Sequence, residues 1–394
     1  MSKRKKMNWW IIGSSVGVGV LVLFLIFVGV RMATMDATVE VVLDYNAPDN
    51  SFDGISYEVP YGQWAVALNG KTVASSSEFL PTQSTASTAK MITALAVMEK
   101  RPFKLGETGE AISITEEMYD KYAWYVQNNG SNSRVIVGEE ISEYDALASA
   151  LVVSSNNMAD SLAIWAFGSL EEYRTYAAEM LARMGATHTV IGSDASGFDE
   201  STVSTAEDLA LIGEAVLRQP VLAEIVGRTE VEVPVAGTLY NTNKLLGTNG
   251  IVGVKTGFIG DPSGYCLVSG YLVGHGEIVT VALLGAPTRQ TSFEDSLGLV
   301  LKAQDAIRTR TLVDAGTEVG RYESWWIGEV PIMTEAAVSG VAVSEIQADF
   351  NGDVSELVLK TDETSYTVPV SAENFPKEPT FWQKFLHVFG WKAE

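Results

Sequence analysis

A helix can bring a serine hydroxyl and a lysine amine together when the two residues stand three or four apart on it. Ser87-Thr88-Ala89-Lys90 meets that requirement where an extended polar lead-in, residues 81–86, turns into an apolar helical run, residues 91–98. On a shared face the amine can take the hydroxyl proton, which makes a nucleophile without a histidine. The pattern is short, and Ser2-Lys3-Arg4-Lys5 matches it by chance in a basic segment. What constrains the fold is that two further motifs have to reach the same serine. Ser154-Ser155-Asn156 follows a helical stretch, residues 142–153, and precedes another, residues 158–166. Lys255-Thr256-Gly257 closes a Gly- and Val-rich run, residues 250–257, that reads as a strand entering the core. All three stand at element boundaries, where reactive side chains can face a cleft.

The remaining pattern predicts how that convergence is built. Residues 64–68 and 71–75 flank Asn69-Gly70 and read as a hairpin. Helices are expected at 91–100, 142–153, 170–184 and 204–217, the last opened by a capping box of Ser204 and Glu207. Strands return at 253–256, 264–272 and 277–284. A helical centre bracketed by strands implies an α/β (α+β) unit over residues 56–309, with an antiparallel sheet made from both chain ends and the nucleophile helix against it. Beyond residue 310 come short strands at 330–333, 338–343, 344–350 and 354–360, the last two joined by an Asn351-Gly352 turn. They predict a small β-rich domain, residues 310–375, acting as spacer or protein contact. Residues 31–55, with Asp44, Asn46, Pro48, Asp49 and Asn50, predict a stalk.

The uncharged run at residues 8–30 is long enough to cross a bilayer core of ~30 Å at ~1.5 Å per residue, and predicts a transmembrane helix over residues 9–30. Lys3, Arg4, Lys5 and Lys6 precede it and only Arg31 follows closely, which places residues 1–8 in the cytoplasm and everything after Arg31 outside a cell membrane crossed once. A cleaved signal peptide is the competing reading, with a poor cleavage site at residues 31–35. Gly13-Ser14-Ser15-Val16-Gly17 fits a nucleophile elbow but lies inside the run, so Ser15 is read as lipid-embedded. The tail, residues 376–394, carries Phe381, Trp382, Phe385, Leu386 and Phe389 at helical spacing. Such a stripe suits a helix packed on its own domain or one lying in the interface of the lipid bilayer.

Composition excludes other chemistries. With 49 acidic and 27 basic residues the net charge is -22, against a nucleic-acid partner, which needs a basic face. A single cysteine, Cys266, rules out an internal disulfide framework and a multi-cysteine metal site. His188, His275 and His387 are scattered without ligand spacing, so no metal or other cofactor is implied. The same scarcity weakens a Ser-His-Asp hydrolase.

Ser-x-x-Lys, then Ser-x-Asn, then Lys-Thr-Gly is the order of penicillin-interacting serine enzymes. At these residues the chain resembles the low-molecular-mass penicillin-binding proteins of the D-alanyl-D-alanine carboxypeptidase type, over residues 61–303. Residues 86–93, 153–156, Asp194-Ala195-Ser196-Gly197-Phe198, 204–210 and 241–246 extend the resemblance. It implies the penicillin-binding-protein/β-lactamase-like transpeptidase fold, and an acyl-transfer cycle on peptidoglycan stem peptides ending in D-Ala-D-Ala, blocked covalently by β-lactams. Within that cycle Ser87 is the nucleophile and Lys90 the base. Ser154 relays a proton to the departing D-alanine, Asn156 orients Lys90 or the substrate amide, and Lys255 adds positive potential. Thr256 and Gly257 lie at the substrate carboxylate, and the backbone N–H groups of Ser87 and Phe258 hold the oxyanion. Ser155-Asn156-Asn157 offers a second register, and the family's Val-Ser-x-Asn pattern favours Ser154. Where relatives often carry a carboxylate-binding arginine this chain has Ser292, and Arg289 is expected to substitute. The rivals are a DD-endopeptidase, a β-lactamase, for which residues 158–208 lack a Glu-x-x-Leu-Asn run, and a tethered β-lactam-binding module without turnover.

Overall fold

The structure, a computed structural model, describes all residues except 1–8, 48–51, 77–80, 259, 261–263, 275, 362–363, 374–377 and 392–394, and gives residues 9–16 by backbone alone. The expected cytoplasmic tail, residues 1–8, therefore lies outside the described residues, as do His275 and Pro376.

Two segments far apart in sequence build the central sheet. Its five antiparallel strands run in the order Gly253–Phe258, Tyr265–Val273, Glu277–Ala286, Gln63–Leu68 and Lys71–Ser75. The hairpin turns at Asn69 and Gly70, whose φ angles of 48° and 84° suit a tight two-residue turn. Side chains alternate across the sheet. Trp64, Val66 and Leu68 join Leu299, Val300 and Ala303 of the helix Arg289–Ala306 in one core, while Ala65 and Ala67 join Leu209, Ile212 and Val216 of the helix Ala206–Arg218 in another. Covered on both faces, Gln63–Leu68 is buried at all six positions. Gly213 permits the close approach of the second helix, since a Cβ there would stand 2.5 Å from Val268 Cγ1. That helix is capped by Thr205, which accepts from the Asp208 N–H, and not by Ser204. The Ser204 hydroxyl is buried and bonded to Thr189 at 2.7 Å, so it is not free to cap.

A helical subdomain packs on the nucleophile helix Lys90–Lys100. Glu116–Gln127, Glu143–Leu151 and Leu170–Met184 begin with Thr115, Ser142 and Ser169 as N-caps, and Asn156–Phe167 begins inside the second motif. Its position puts the Ser-x-Asn segment opposite the edge strand Gly253–Phe258, with the nucleophile helix Lys90–Lys100 between them.

The C-terminal part is a six-stranded sheet in the order Glu40–Leu43, Glu318–Ser324, Gly328–Thr334, Ser365–Ser371, Glu356–Lys360 and Gln347–Phe350. Residues 40–43 were expected in a stalk and instead form an edge strand, with Val41 opposite Tyr322 and Val42 opposite Arg321. Tyr45 fastens the same segment through its hydroxyl to the Leu312 carbonyl, 2.8 Å away. The turn expected at Asn351-Gly352 is a longer loop, 351–355, in which the Asn351 side chain accepts from the N–H groups of Ser355 and Glu356.

At the N-terminus a helix spans Trp9–Ala33. Among the described residues no helix is long and apolar enough to cross a membrane, so the expected span is not seen there. The tail forms a helix, Phe381–Val388, opened by a capping box of Thr380 and Gln383. It rests on its own domain: His387 stacks on Trp325 at 4.2 Å and Gln383 Nε2 donates to the Trp326 carbonyl. It also meets the N-terminal helix, with Phe389 6.0 Å from Phe24.

Candidate active site

Ser87 lies in a single 3-10 turn, Ala86–Ala89, that runs directly into the helix beginning at Lys90. The residue before it, Ala86, has φ 48°, a conformation few non-glycine residues adopt, and one that reorients the chain so that Ser87 faces the cleft. The edge strand closes on this turn. A Cβ at Gly257 would stand 3.0 Å from the Thr85 carbonyl oxygen and 3.1 Å from Ser87 N, so only glycine lets the two backbones lie this close.

Lys90 is fully buried, and its Nζ lies 2.8 Å from Ser87 Oγ, 2.7 Å from Asn156 Oδ1 and 2.8 Å from the Ser196 carbonyl oxygen. Two of these neighbours can only accept. A neutral amine has two N–H bonds and one lone pair, so donating to Asn156 and Ser196 leaves the lone pair facing the Ser87 hydroxyl. Burial lowers the Lys90 pKa to about 7, against the opposing pull of the Asp194 and Asp160 carboxylates. Near neutral pH a large share of Lys90 is then in the form that can accept a proton.

Lys255 is equally buried and donates to Ser154 Oγ at 2.9 Å and to the Thr256 carbonyl at 2.8 Å. Burial, and then the positive charge of Lys90, push its pKa well below the ordinary lysine value. Two ammonium groups repel each other in one dry site, so each is most easily charged when the other is neutral.

The second motif resolves its register by pointing its two Ser-x-Asn pairs in different directions. Ser154, at φ 68°, turns toward Lys255, and Asn156 toward Lys90. Ser155 Oγ donates to Asn157 Oδ1, and Asn157 clamps the backbone of Ser133 on both its N–H and its carbonyl. The outer pair faces the chemistry and the inner pair holds a loop.

A cleft of about 130 Å³ joins Ser87, Ser154, Thr256, Gly257, Phe258 and Arg289. It brings together every expected substrate-binding residue. Arg289 opens the helix Arg289–Ala306, is exposed, and has no ion-pair partner among the described residues. Ser292 is buried and donates to the Arg289 carbonyl. The cleft also holds residues for which sequence reading assigned no part. Thr242 meets Thr256 hydroxyl to hydroxyl at 2.7 Å, Tyr265 stacks on Phe258 at 4.0 Å, and Ser131 anchors Asn156 N through its carbonyl. Cys266 is buried at the cleft wall, and burial raises its pKa to about 11.

Asp194 organises the far wall. Its Oδ1 accepts from Ser196 N, Gly197 N and Ser196 Oγ, and its Oδ2 from Asp199 N. These bonds fold residues 194–199 so that the Ser196 carbonyl points at Lys90 and the Ala195 carbonyl at Thr93. The arrangement as a whole can deprotonate a buried-side hydroxyl and pass a proton along a second amine and hydroxyl. That is the equipment of acyl transfer.

A family model described as D-alanyl-D-alanine carboxypeptidase matches residues 66–288. The D-alanyl-D-alanine endopeptidase of Escherichia coli strain K12 is 29% identical over 242 residues, 59% of this chain and 69% of that protein. The D-alanyl-D-alanine endopeptidase of Pseudomonas aeruginosa is 30% identical over 245 residues, with the same coverage of 59% and 69%. In fold, the crystal structure of penicillin binding protein 6B from Escherichia coli superposes with a TM-score of 0.60 at 17% identity, covering 84% of this chain and 99% of that one.

Proposed function

Because the chain belongs to the D-alanyl-D-alanine carboxypeptidase family, we infer that it is a serine DD-peptidase acting on peptidoglycan, and that it removes the terminal D-alanine from stem peptides through an acyl-enzyme on Ser87. The observation that carries the assignment of the nucleophile is the commitment of both Lys90 N–H bonds to carbonyl acceptors, which aims the remaining lone pair at Ser87.

In this reading Ser87 Oγ attacks the carbonyl between the two D-alanines as its proton passes to Lys90 Nζ. Oxyanion charge develops between the backbone N–H groups of Ser87 and Phe258, and losing such a donor typically costs ~100-fold or more in rate. The C–N bond then breaks. The departing amine takes a proton from Ser154 Oγ, which Lys255 replenishes across 2.9 Å. The proton that Lys90 took from Ser87 is returned to Lys255, which restores both amines. Water then attacks the acyl carbonyl as Lys90 takes its proton, the ester bond to Ser87 breaks, and Ser87 Oγ recovers that proton from Lys90. A β-lactam enters the first half of this cycle, but its amine stays tethered to the acyl group, and the adduct persists. Thr256 and Arg289 receive the terminal carboxylate, the arginine as a bidentate partner.

The second reading is endopeptidase action, in which the leaving amine belongs to a cross-linked neighbouring peptide. Both curated relatives described above carry that name. The exposed Arg289 in the cleft favours a free carboxylate at the leaving end, and so the carboxypeptidase reading. Incubating the protein with linear and with cross-linked D-Ala-D-Ala muropeptides, and weighing the products by mass spectrometry, decides between them. Loss of both activities in Ser87→Ala, and loss of its β-lactam adduct, is expected. A full adduct on that variant would remove Ser87 from the mechanism.

We also propose that residues 9–30 anchor the chain in a membrane with the catalytic unit on the extracytoplasmic face. The uncharged run, the basic residues before it and the exposed apolar side chains Leu21, Leu23, Leu25 and Phe27 support that reading. The tail helix would be a weaker second contact, since Phe381 and Trp382 are exposed beside the same helix. Deleting residues 1–31 should leave partial, detergent-releasable binding to liposomes, and deleting the tail as well should abolish it. A chain lacking only residues 1–31 that ignores liposomes would show the tail to be a packing helix alone.

A further inference from the structure

Lys90 donates to two acceptors from different parts of the chain, Asn156 Oδ1 at 2.7 Å and the Ser196 carbonyl at 2.8 Å. Asn156 opens the helix Asn156–Phe167, which aims it directly. The Ser196 carbonyl belongs to a loop. Asp194 gives that loop its form from inside, but bonds within a loop do not fix where it stands against the helices around it.

The preceding peptide is what ties it down. Ala195 is held at both of its backbone groups, its carbonyl by Thr93 Oγ1 at 2.5 Å and its N–H by Asp160 Oδ1 at 3.0 Å. Asp160 stands four residues after Asn156 on the same helix, and residues so spaced share a face. Its Oδ2 accepts from the Tyr125 hydroxyl at 2.9 Å, and that hydroxyl lies 3.3 Å from Ser196 Oγ. One helix face thus governs both acceptors of Lys90: Asn156 by contact, and the Ser196 carbonyl through Asp160.

Asp160 is only 1% exposed. An amide could accept the same N–H without the cost of burying a charge, so the charge itself calls for a role. Three donors favour the ionised form: the Ala195 N–H, the Tyr125 hydroxyl and, at 3.5 Å, the Lys121 ammonium. Burial and then the Asp194 carboxylate work against them and raise the Asp160 pKa. Two groups on other helices also face this carboxylate, Lys90 and Tyr173, the latter bonded to Thr93 at 2.8 Å. Toward Lys90 the carboxylate acts as an opposite charge in a dry site, and it favours the ammonium form.

We propose that Asp160 is a positioning residue for acylation: through the Ala195 N–H it holds the Ser196 carbonyl on Lys90, and its negative charge steadies the ammonium that Lys90 becomes on taking the Ser87 proton. The proposal rests on the acyl-enzyme reading of Ser87 and Lys90.

The test follows acylation by a fluorescent penicillin across the acid limb and the plateau of the pH profile, and the carbon-13 resonance of Lys90 Cε over the same range. It compares the parent with Asp160→Leu and Asp160→Asn, each shown to be folded. Asp160→Leu, which removes anchor and charge, should lower the plateau roughly tenfold or more, because a misplaced base loses its near-attack geometry. Asp160→Asn keeps an acceptor for the Ala195 N–H and should recover most of that loss. Without the carboxylate the ammonium is less favoured, so its acid limb and its Lys90 midpoint should both move to lower pH. A purely structural aspartate would leave them in place. A plateau in Asp160→Leu equal to the parent's, or one in Asp160→Asn no better than in Asp160→Leu, would overturn the anchor. An acid limb and a Lys90 midpoint unmoved by Asp160→Asn would overturn the charge, and either result refutes the proposal. If Asp160→Leu does not fold, the midpoint in Asp160→Asn decides alone. A parent that forms no adduct would overturn the acyl-enzyme reading, while the Lys90 resonance in Asp160→Asn would still decide whether Asp160 acts on that amine.

Discussion

The rate at which a β-lactam acylates Ser87 should follow the neutral form of Lys90, and its pH dependence can be worked out from the site. Burial lowers the Lys90 pKa from the ordinary 10.5 to about 7. The neutral amine is the competent base, so activity is gained as pH rises through that value. At pH 7 about half of the amine is neutral, and at pH 5 about one part in a hundred, which predicts a ~50-fold slower acylation at pH 5 than at pH 7. Between pH 8 and 9 little remains to be gained. An unperturbed lysine would instead give a tenfold rise per pH unit up to pH 9 and beyond. The assay is the second-order rate constant for a fluorescent penicillin, measured between pH 5 and 9 on chain shown to stay folded across the range. The lysines repel one another in a dry site, so the acid limb reports the pair rather than one residue alone. A rate constant that is flat from pH 5 to 9, or one still climbing tenfold per unit at pH 9, would refute Lys90 as the base.

Two further outcomes follow from the same geometry. Arg289→Ala should lower kcat/KM for a D-Ala-D-Ala peptide roughly tenfold or more while leaving the chain folded, because the arginine is exposed at a helix start and bonded to no carboxylate among the described residues; unchanged peptide kinetics would remove it from carboxylate binding. Lys90→Met should inactivate the enzyme and stabilise it by up to a few kcal/mol at neutral pH, since holding a lysine with a pKa of about 7 in a dry site costs about 1.4 kcal/mol per unit below its ordinary value. The sign with pH is definite: between about 7 and 10 the unfolded chain binds the lysine proton that the folded chain has released, so the contribution of Lys90 makes stability rise with pH over that window, and urea midpoints of the parent and of Lys90→Met should converge as pH increases.

How much of this was legible in the sequence depended on whether a contact is made by a side chain of distinctive type. Ser87, Lys90, Asn156 and Lys255 announce themselves because proton transfer needs those groups at those spacings, and the central sheet could be expected because strands bracket a helical centre. The Ser154 register was decided by a family pattern, and the structure supplies the physical ground for it: Ser154 takes a left-handed φ that turns it toward Lys255, while Ser155 and Asn157 are consumed in clamping Ser133. The edge strand Glu40–Leu43 was invisible, for its partner Glu318–Ser324 lies some 280 residues away and turn-forming residues surround it. The cap at Thr205 and the displaced Ser204 differ by one position, and only the buried Thr189 hydroxyl decides which of two adjacent hydroxyls is free.

The least legible part of the site is also one that fixes its chemistry. One of the two acceptors that orient Lys90 is the carbonyl of Ser196, and every residue has a carbonyl. What makes that carbonyl special is the fold of residues 194–199, held by Asp194 through bonds to Ser196, Gly197 and Asp199 and pressed against the nucleophile turn at Gly197, where a Cβ would stand 2.1 Å from the Ala86 oxygen. A change at Asp194 would therefore act on Ser87 through three links: loop, carbonyl and amine. It would shift the orientation of the Lys90 lone pair before it removed any group that touches the substrate. Reading Asp194-Ala195-Ser196-Gly197-Phe198 as a family run found the segment, but the reason for its composition lies in a backbone oxygen that no residue letter records.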